Sequence, residues 1–315
     1  MTFIQIDLPA ILAALLAALA AALVGNFLVL RRQSLVGDAI SHAVLPGLVL
    51  GFVLAGTRES MPMIAGAGVA ALLATVLIEA VRRYGRVEAT ASMGVVFSIF
   101  FAAGIVMLEM GGAAAVDLDP DCVLYGQLEA ILWLAPQSPG DLLLASTWAT
   151  LPREVTTLAV VALVTAAVLA LVWKELVAAS FDPAHASACG IPVGAINTGL
   201  MALVALVSVA AFEAVGSILV IAMFIAPAAA ARVLTDRLAG QVALSLLFAA
   251  VSAIGGYVLG AFGPFWVGLE NSVSASGMIA TLAGLILLAA VILAPRTGVV
   301  ARRGRPLPAA ERAAA

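Results

Sequence analysis

The sequence predicts an all-α fold, a polytopic bundle of eight or nine transmembrane helices. Of its 315 residues, 64% are hydrophobic and only 10% are charged, and the mean hydropathy is +1.17. Soluble domains are roughly half apolar and about a quarter charged, so a water-soluble fold could not bury this much apolar surface. Apolar runs of spanning length recur along the chain, and basic residues gather between alternate runs. From these observations we expect most of the chain to lie within the lipid bilayer.

The apolar runs define the spans, because about 20 consecutive apolar residues cross a bilayer as a helix. The first run ends at Arg31 and is a retained span rather than a signal peptide, since residues 1–8 lack the basic residues that begin a signal peptide. The run 193–231 would be about 58 Å long as one helix, so we predict a tight break between Glu213 and Gly216. The predicted spans are 9–30, 34–55, 62–81, 92–110, 157–175, 194–212, 215–232, 239–260 and 276–295.

The basic residues indicate the orientation through the positive-inside rule. With the N-terminus outside and the C-terminus in the cytoplasm, 13 of the 15 basic residues fall on the inner side. The outer side then carries ten acidic residues against two arginines, a formal charge of about −8 that would concentrate cations. Acidic outer loops also occur without a role, and both interpretations stay open. The inner basic residues are Arg31, Arg32, Arg82, Arg83, Arg86, Lys174, Arg232, Arg237, Arg296, Arg302, Arg303, Arg305 and Arg312.

The chain is predicted to form one membrane domain over residues 1–298, with nothing in its composition that indicates a second, soluble domain. The tail 299–315 is rich in Arg, Pro and Ala and is predicted to be disordered. The one long outer segment, 111–156, is predicted either to re-enter the membrane or to lie at its surface. No basic patch with interleaved aromatic residues is found, which excludes nucleic acid as a serious partner.

Asp38 and His42 are the candidate metal ligands. They lie just inside the second span, where an ionisable residue is costly and indicates a function by default. Their spacing of four would place both side chains on one face of a helix, with Cβ atoms about 5–6 Å apart. A carboxylate oxygen and an imidazole nitrogen suit Zn²⁺, Mn²⁺ or Fe²⁺ better than Mg²⁺ or Ca²⁺. The alternative is that the pair only hydrogen-bonds within the bundle.

Pro46 predicts a kink or break beside this pair, because it supplies no N–H to the carbonyl of His42. Gly37 and Gly47 bracket the same segment. A broken helix would leave backbone carbonyls free next to the two side chains, and such backbone is tolerated at membrane depth only where it is buried in protein or lines a cavity. Two side chains cannot complete a coordination shell, so further ligands must come from elsewhere or from a second copy.

Four further residues are weaker candidates for handling a metal ion. Glu213 is either a ligand or gate residue near the outer end of the pathway or a turn residue that meets water, and the turn is favoured. Asp119, Asp121 and Cys122 form an outer cluster that either handles a metal transiently or is an ordinary acidic loop, and the ordinary loop is favoured.

Residues 181–192 predict a short, firmly delimited helix on the cytoplasmic side. Asp182 can cap its start, Pro183 suits the first helical position, Gly190 suits a left-handed terminator, and Pro192 blocks continuation. About seven residues are too few to cross the membrane or to persist as an isolated helix. The segment is either a knob for a groove on a partner protein, which we favour, or an interfacial connector.

The sequence contains no G-x-x-x-x-G-K-[ST] string, and its only lysine is Lys174. This chain therefore lacks the loop that would hold ATP phosphates. If transport is driven by ATP, the ATPase is a different polypeptide, and a docking helix on the cytoplasmic face is what such a partner would need.

The segment 31–47 resembles the signature of the zinc, manganese and iron ABC importer permeases, the ABC-3 family. Its core, Asp-Ala-Ile-Ser-His-Ala-Val-Leu-Pro-Gly at 38–47, is specific, and the similarity runs in order over most of residues 10–295. Weaker matches are Met93-Gly94-Val95-Val96-Phe97-Ser98, Asp121-Cys122-Val123-Leu124-Tyr125-Gly126, Phe181-Asp182-Pro183 through Gly190-Ile191-Pro192, and Val215-Gly216-Ser217-Ile218-Leu219-Val220 through Pro227.

The resemblance implies a type II ABC importer-like permease in a bacterial cytoplasmic membrane. It implies a second permease chain, identical or homologous, two cytoplasmic ATPase subunits that hold the ATP, and an extracytoplasmic metal-binding receptor. The chain itself would be a transport subunit rather than an enzyme and would bind no cofactor. Asp38 and His42 would line the path of the Zn, Mn or Fe ion. The ATPase-coupling residues would be Asp182, Pro183, Ala184, His185 and Gly190.

Two other functions compete with this one. A secondary carrier driven by an ion gradient would need no ATPase, but no paired half-repeats with matching broken helices are found. An intramembrane enzyme would need a second intramembrane His or Cys, or a His-Glu-x-x-His string, and the sequence has neither.

Overall fold

The computed structural model describes residues 3–33, 36–55, 60–110, 126, 128–266, 268 and 272–294. Within these residues the fold is entirely helical and contains no β-strand. The predicted disordered tail at 299–315 lies outside the described residues, as does most of the first part of segment 111–156.

The helices are labelled here in chain order. Short 3₁₀ turns also occur at Leu128–Ala130 and Pro139–Leu143. The helices are α1 Phe3–Leu30, α2 Val36–Ala43, α3 Leu45–Ala55, α4 Ser60–Gly85, α5 Ala89–Met110, α6 Ala145–Trp148, α7 Arg153–Leu171, α8 Trp173–Phe181, α9 Pro183–Ala188, α10 Val193–Val215, α11 Ser217–Leu234, α12 Leu238–Ala261, α13 Gly263–Trp266 and α14 Ala275–Leu293.

Eight helices in the described part of the chain are long and apolar enough to cross a membrane: α1, α4, α5, α7, α10, α11, α12 and α14. The remaining predicted span, 34–55, consists of two short helices, α2 and α3, that meet at Val44. The prediction of eight or nine spans is thus confirmed, and the ninth apolar segment is a broken helix rather than a continuous one.

The predicted break in the run 193–231 lies at Gly216, between α10 and α11. Gly216 has φ of 78°, a left-handed conformation that only glycine adopts without steric cost. Its N–H still donates to the carbonyl of Phe212 at 3.2 Å, which ends α10 in an orderly way. Gly216 is therefore the single non-helical residue between α10 and α11.

Helix α1 lies at the centre of the larger half of the bundle. It packs against α7, α10, α11 and α12, while α14 covers α11 and α12. Most of its buried residues are alanines, whose small side chains let neighbouring helices approach closely. Helices α2 to α5 form a second group, which joins the first where α2 and α4 contact α10.

Long-range polar contacts hold the end of the bundle at which α1 and α14 begin. The Tyr257 hydroxyl donates to the Asp7 carboxylate at 3.0 Å. The backbone N–H of Ala275, at the start of α14, donates to the Glu129 carboxylate at 2.9 Å. The backbone N–H of Trp133 donates to the backbone carbonyl of Gln5 at 2.9 Å. The described part of segment 111–156 therefore covers this end of the bundle and contains no spanning helix.

The crossing of α3 and α4 depends on Gly47 and Gly66, and it yields a stability prediction. A Cβ at Gly66 would lie 2.2 Å from the Gly47 carbonyl oxygen, whereas a Cβ at Gly68 would meet no atom within 4 Å. We expect Gly66→Ala to reduce the free energy of unfolding by about 1–3 kcal/mol, measured as a lower melting temperature in detergent. Gly68→Ala is the matched control and should melt like the wild type. Equal melting of both variants would contradict the close crossing.

Candidate functional site

The candidate metal ligands lie in a short helix with a break directly after it. Helix α2 carries residues 38 and 42 and ends at Ala43, and α3 begins at Leu45. Val44 donates its N–H to Ile40 at 3.2 Å and accepts from Leu48 at 3.1 Å, so it belongs partly to both helices. The predicted break is confirmed. Residues 38 and 42 keep their predicted helical spacing, and the side chain of Asp38 lies outside the described part of the structure.

His42 is half-buried and its imidazole packs against two phenylalanines of α5. The ring centroids of Phe97 and Phe101 lie 5.0 Å and 5.5 Å from that of His42. The two phenylalanine rings stack on each other at 5.9 Å. These aromatic contacts hold the imidazole between α2 and α5. Only the spacing of four between the two phenylalanines could have indicated them in the sequence.

A complete metal shell is not formed by the described side chains, because no three of their His, Cys, Asp and Glu groups are placed to hold one ion. The other donors for an ion at Asp38 and His42 would come from backbone carbonyls, water, side chains outside the described set or a second copy of the chain. A broken helix suits this chemistry in general, because carbonyls in the last turn of a helix lack an intrahelical N–H partner.

Glu213 lies in the last turn of α10, three residues before the break at Gly216; its side chain lies outside the described part. Gly126 packs against the same break, since a Cβ there would be 2.3 Å from the carbonyl carbon of Val215. The long segment therefore returns to this break. The predicted cluster of Asp119, Asp121 and Cys122 lies outside the described residues.

The predicted short helix is present as α9, with six residues rather than seven. The Asp182 carboxylate accepts the N–H of His185 at 2.9 Å, and Pro183 occupies the first helical position. Gly190 has φ of 82°, the expected left-handed terminator. Within α9 only Ala186 is buried, so the other residues of the helix, Ala184 and His185 among them, are exposed. Both predicted caps are confirmed, and the helix projects from the bundle.

Arg31 is a residue whose contacts the sequence did not indicate. Its guanidinium donates to the Ser180 hydroxyl at 2.9 Å and also to the Asn197 side-chain carbonyl. Ser180 lies shortly before α9 and Asn197 shortly after it. The end of α1 and the projecting helix therefore share one end of the bundle, as the alternation of spans predicts.

The sequence matches known proteins over almost the whole chain. The family model described as the ABC 3 transport family matches residues 4–133 and 140–294. The chain is 37% identical over 286 residues to the manganese transport system membrane protein MntD of Bacillus subtilis, covering 90% of this chain and 91% of that protein. It is 36% identical over 280 residues to the zinc transport system membrane protein TroD of Treponema pallidum, covering 89% and 72%.

A solved structure supports the fold independently. The chain is similar to a chain of PsaBC from Streptococcus pneumoniae in complex with Fab, with a TM-score of 0.72 and 29% sequence identity. The match covers 94% of each chain, so the whole helical arrangement is shared rather than a part of it.

Proposed function

The chain belongs to the ABC 3 transport family, and from this premise we propose that it is the membrane-spanning permease subunit of an ATP-binding cassette importer for divalent transition-metal ions. The observation that carries the proposal is the match across nearly the full length to relatives named for manganese and zinc transport. The chain is a multi-pass membrane protein, and its broken helix α2–α3 carries a carboxylate and an imidazole at helical spacing.

Asp38 and His42 are proposed to hold the ion as it passes through the bundle. Mixed oxygen and nitrogen donors serve Mn²⁺, Zn²⁺ and Fe²⁺ alike, so the three remain the proposed cargo. Glu213, beside the break at Gly216, is a weaker candidate ligand, because a turn residue is the favoured interpretation there. Asp119, Asp121 and Cys122 are also weaker candidates, because an ordinary acidic loop is the favoured interpretation of that segment.

Helix α9 is proposed to dock in a groove of a cytoplasmic ATPase, because it is exposed, short and capped at both ends. ATP hydrolysis then belongs to two separate ATPase chains, and an outer receptor delivers the ion to a pair of permease chains. The proposed orientation has the N-terminus outside and the C-terminus in the cytoplasm of a bacterial inner membrane, as the distribution of basic residues favours.

Proteoliposomes that contain the permease and its ATPase test this function. We expect uptake of manganese or zinc to require ATP and to stop when the ATPase is left out. The control imposes a proton gradient on vesicles that contain the permease alone, without ATP. Uptake under that condition would contradict the proposal and identify a secondary carrier.

A further inference from the structure

Residues 180–197, which include α9, are called the docking region. The guanidinium of Arg31 is hydrogen-bonded to the first and the last residue of this region. Its Nε donates to Ser180, which is three residues before α9, and its Nη1 donates to Asn197, which lies in the first turns of α10. Helices α8 and α10 lead from α9 into the bundle, so a displacement of α9 that carries either helix with it would move one of these acceptors. The guanidinium of Arg31 would then move with its acceptor or lose a hydrogen bond.

Arg31 is also rigidly attached to α1. The Gln33 N–H donates to the Leu28 carbonyl at 2.9 Å, and the Arg32 N–H donates to the Val29 carbonyl at 3.2 Å. Arg32 has φ of 57°, so the three observations together make a Schellman cap that ends α1. Arg31 is the last residue before the left-handed turn, and its backbone is held by this cap.

The same cap leads directly into α2. The Gln33 carbonyl accepts the N–H of Val36, the first residue of α2, at 3.1 Å. Only two residues separate Gln33 from the helix that carries Asp38 and His42. This hydrogen bond ties the first residue of α2 directly to the cap of α1.

A small, mainly apolar cavity lies behind α2. The cavity, of about 20 Å³, is large enough for roughly one water molecule. Val36 and Ile40 of α2 line it, and residues 38 and 42 lie on the opposite side of the helix because residues two apart are rotated by about 200°. Asn197, the acceptor for Arg31, lines the same cavity.

The charge of Arg31 makes its position sensitive to these acceptors. Among the described side chains no carboxylate pairs with it, and its buried Nη2 has no hydrogen-bond partner. Burial, and then the nearby Arg82 guanidinium, lower the pKa of Arg31, while Arg82 itself pairs with Glu79 at 2.8 Å. A half-buried charge held by two neutral oxygens is poorly compensated, so loss of either acceptor would favour a different arrangement.

We propose that Arg31 is the positioning residue that transmits the movement of α9 to α2 and so couples ATP hydrolysis to release of the ion. The inference rests on the proposed function of α9, Asp38 and His42 and adds the physical link between them. Arg31 never touches the ion, and its role is to keep the docking region, the end of α1 and the start of α2 moving together.

Replacing Arg31 tests the link in the assembled complex. In proteoliposomes with the ATPase, we expect Arg31→Ala to continue hydrolysing ATP while metal uptake falls, so that the ATP hydrolysed per ion rises at least tenfold. The matched control is Arg83→Ala, which removes an exposed arginine from the same end of the bundle and should leave the ratio unchanged. An unchanged ratio in Arg31→Ala would overturn the proposal.

Milder variants keep the test decisive if Arg31→Ala fails to assemble. Asn197→Ala removes one acceptor and should raise the ratio by a smaller factor. Arg31→Lys keeps the charge but loses the fixed fork of N–H groups, so it should behave in the same way. The double variant Arg31→Ala/Asn197→Ala should be no worse than Arg31→Ala alone, since both changes break one interaction. Additive effects, or a wild-type ratio in Asn197→Ala, would overturn the link. Absence of uptake in the wild-type complex would instead contradict the proposed function.

Discussion

Replacing Asp38 or His42 with alanine is expected to abolish metal uptake while the permease still assembles with its ATPase. Loss of a group that only supports a metal ligand typically costs about 10- to 100-fold, so loss of a direct ligand should cost at least about 100-fold. The remaining ligand cannot compensate, because a carboxylate and an imidazole contribute different donors to the same ion.

The measurement is ATP-dependent uptake of radioactive manganese or zinc, with co-purification of the ATPase as the check on assembly. Asp38→Asn and His42→Gln keep the size of the side chains and should also lose uptake, because the amides are poor metal ligands. Ser41→Ala, in the same helix, is the matched control and should transport normally. Uptake at the wild-type level in Asp38→Ala or His42→Ala would refute the site.

Removing both caps of α9 is expected to detach the ATPase. Asp182→Ala removes the carboxylate that accepts the His185 N–H, which costs about 1 kcal/mol. Gly190→Val places a branched side chain at φ of 82°, which costs about 1–2 kcal/mol more. A helix of six residues is not stable in isolation, so it depends on its caps and on the contacts that it makes. The combined loss of about 2–3 kcal/mol should weaken ATPase binding by roughly 30- to 150-fold.

ATPase binding to the detergent-solubilised permease measures this effect. Gly194→Ala is the matched control, since Gly194 lies in α10 and an added Cβ there meets no atom within 4 Å. Because neither cap residue is part of a membrane span, the melting temperature of the permease should change little in the double-cap variant. Normal ATPase affinity in that variant would show that α9 is a connector and not a docking element.

The parts of the fold that could be predicted depend on local signals. The break at Gly216 follows from an apolar run too long for one crossing. Helix α9 follows from Asp182, Pro183 and Gly190, whose preferences act within a few residues of each other. The separation of α2 from α3 follows from Pro46, which has no N–H to donate. In each case the residues that determine the local structure lie in the same segment of the sequence.

The parts that could not be predicted depend on contacts between distant segments. Arg31 meets partners 149 and 166 residues away, and neither its charge nor its place in the segment 31–47 indicated them. Glu129 caps a helix whose first residue is 146 positions later. The aromatic contacts of His42 need the packing of α2 on α5, which no periodicity specifies.

A structure of the assembled importer with bound Mn²⁺ or Zn²⁺, located by its anomalous scattering, tests the central claim most directly. The account predicts the ion within about 2.0–2.2 Å of a carboxylate oxygen of Asp38 and an imidazole nitrogen of His42. An ion bound elsewhere in the bundle, with Asp38 and His42 hydrogen-bonded to neighbouring helices instead, would contradict it.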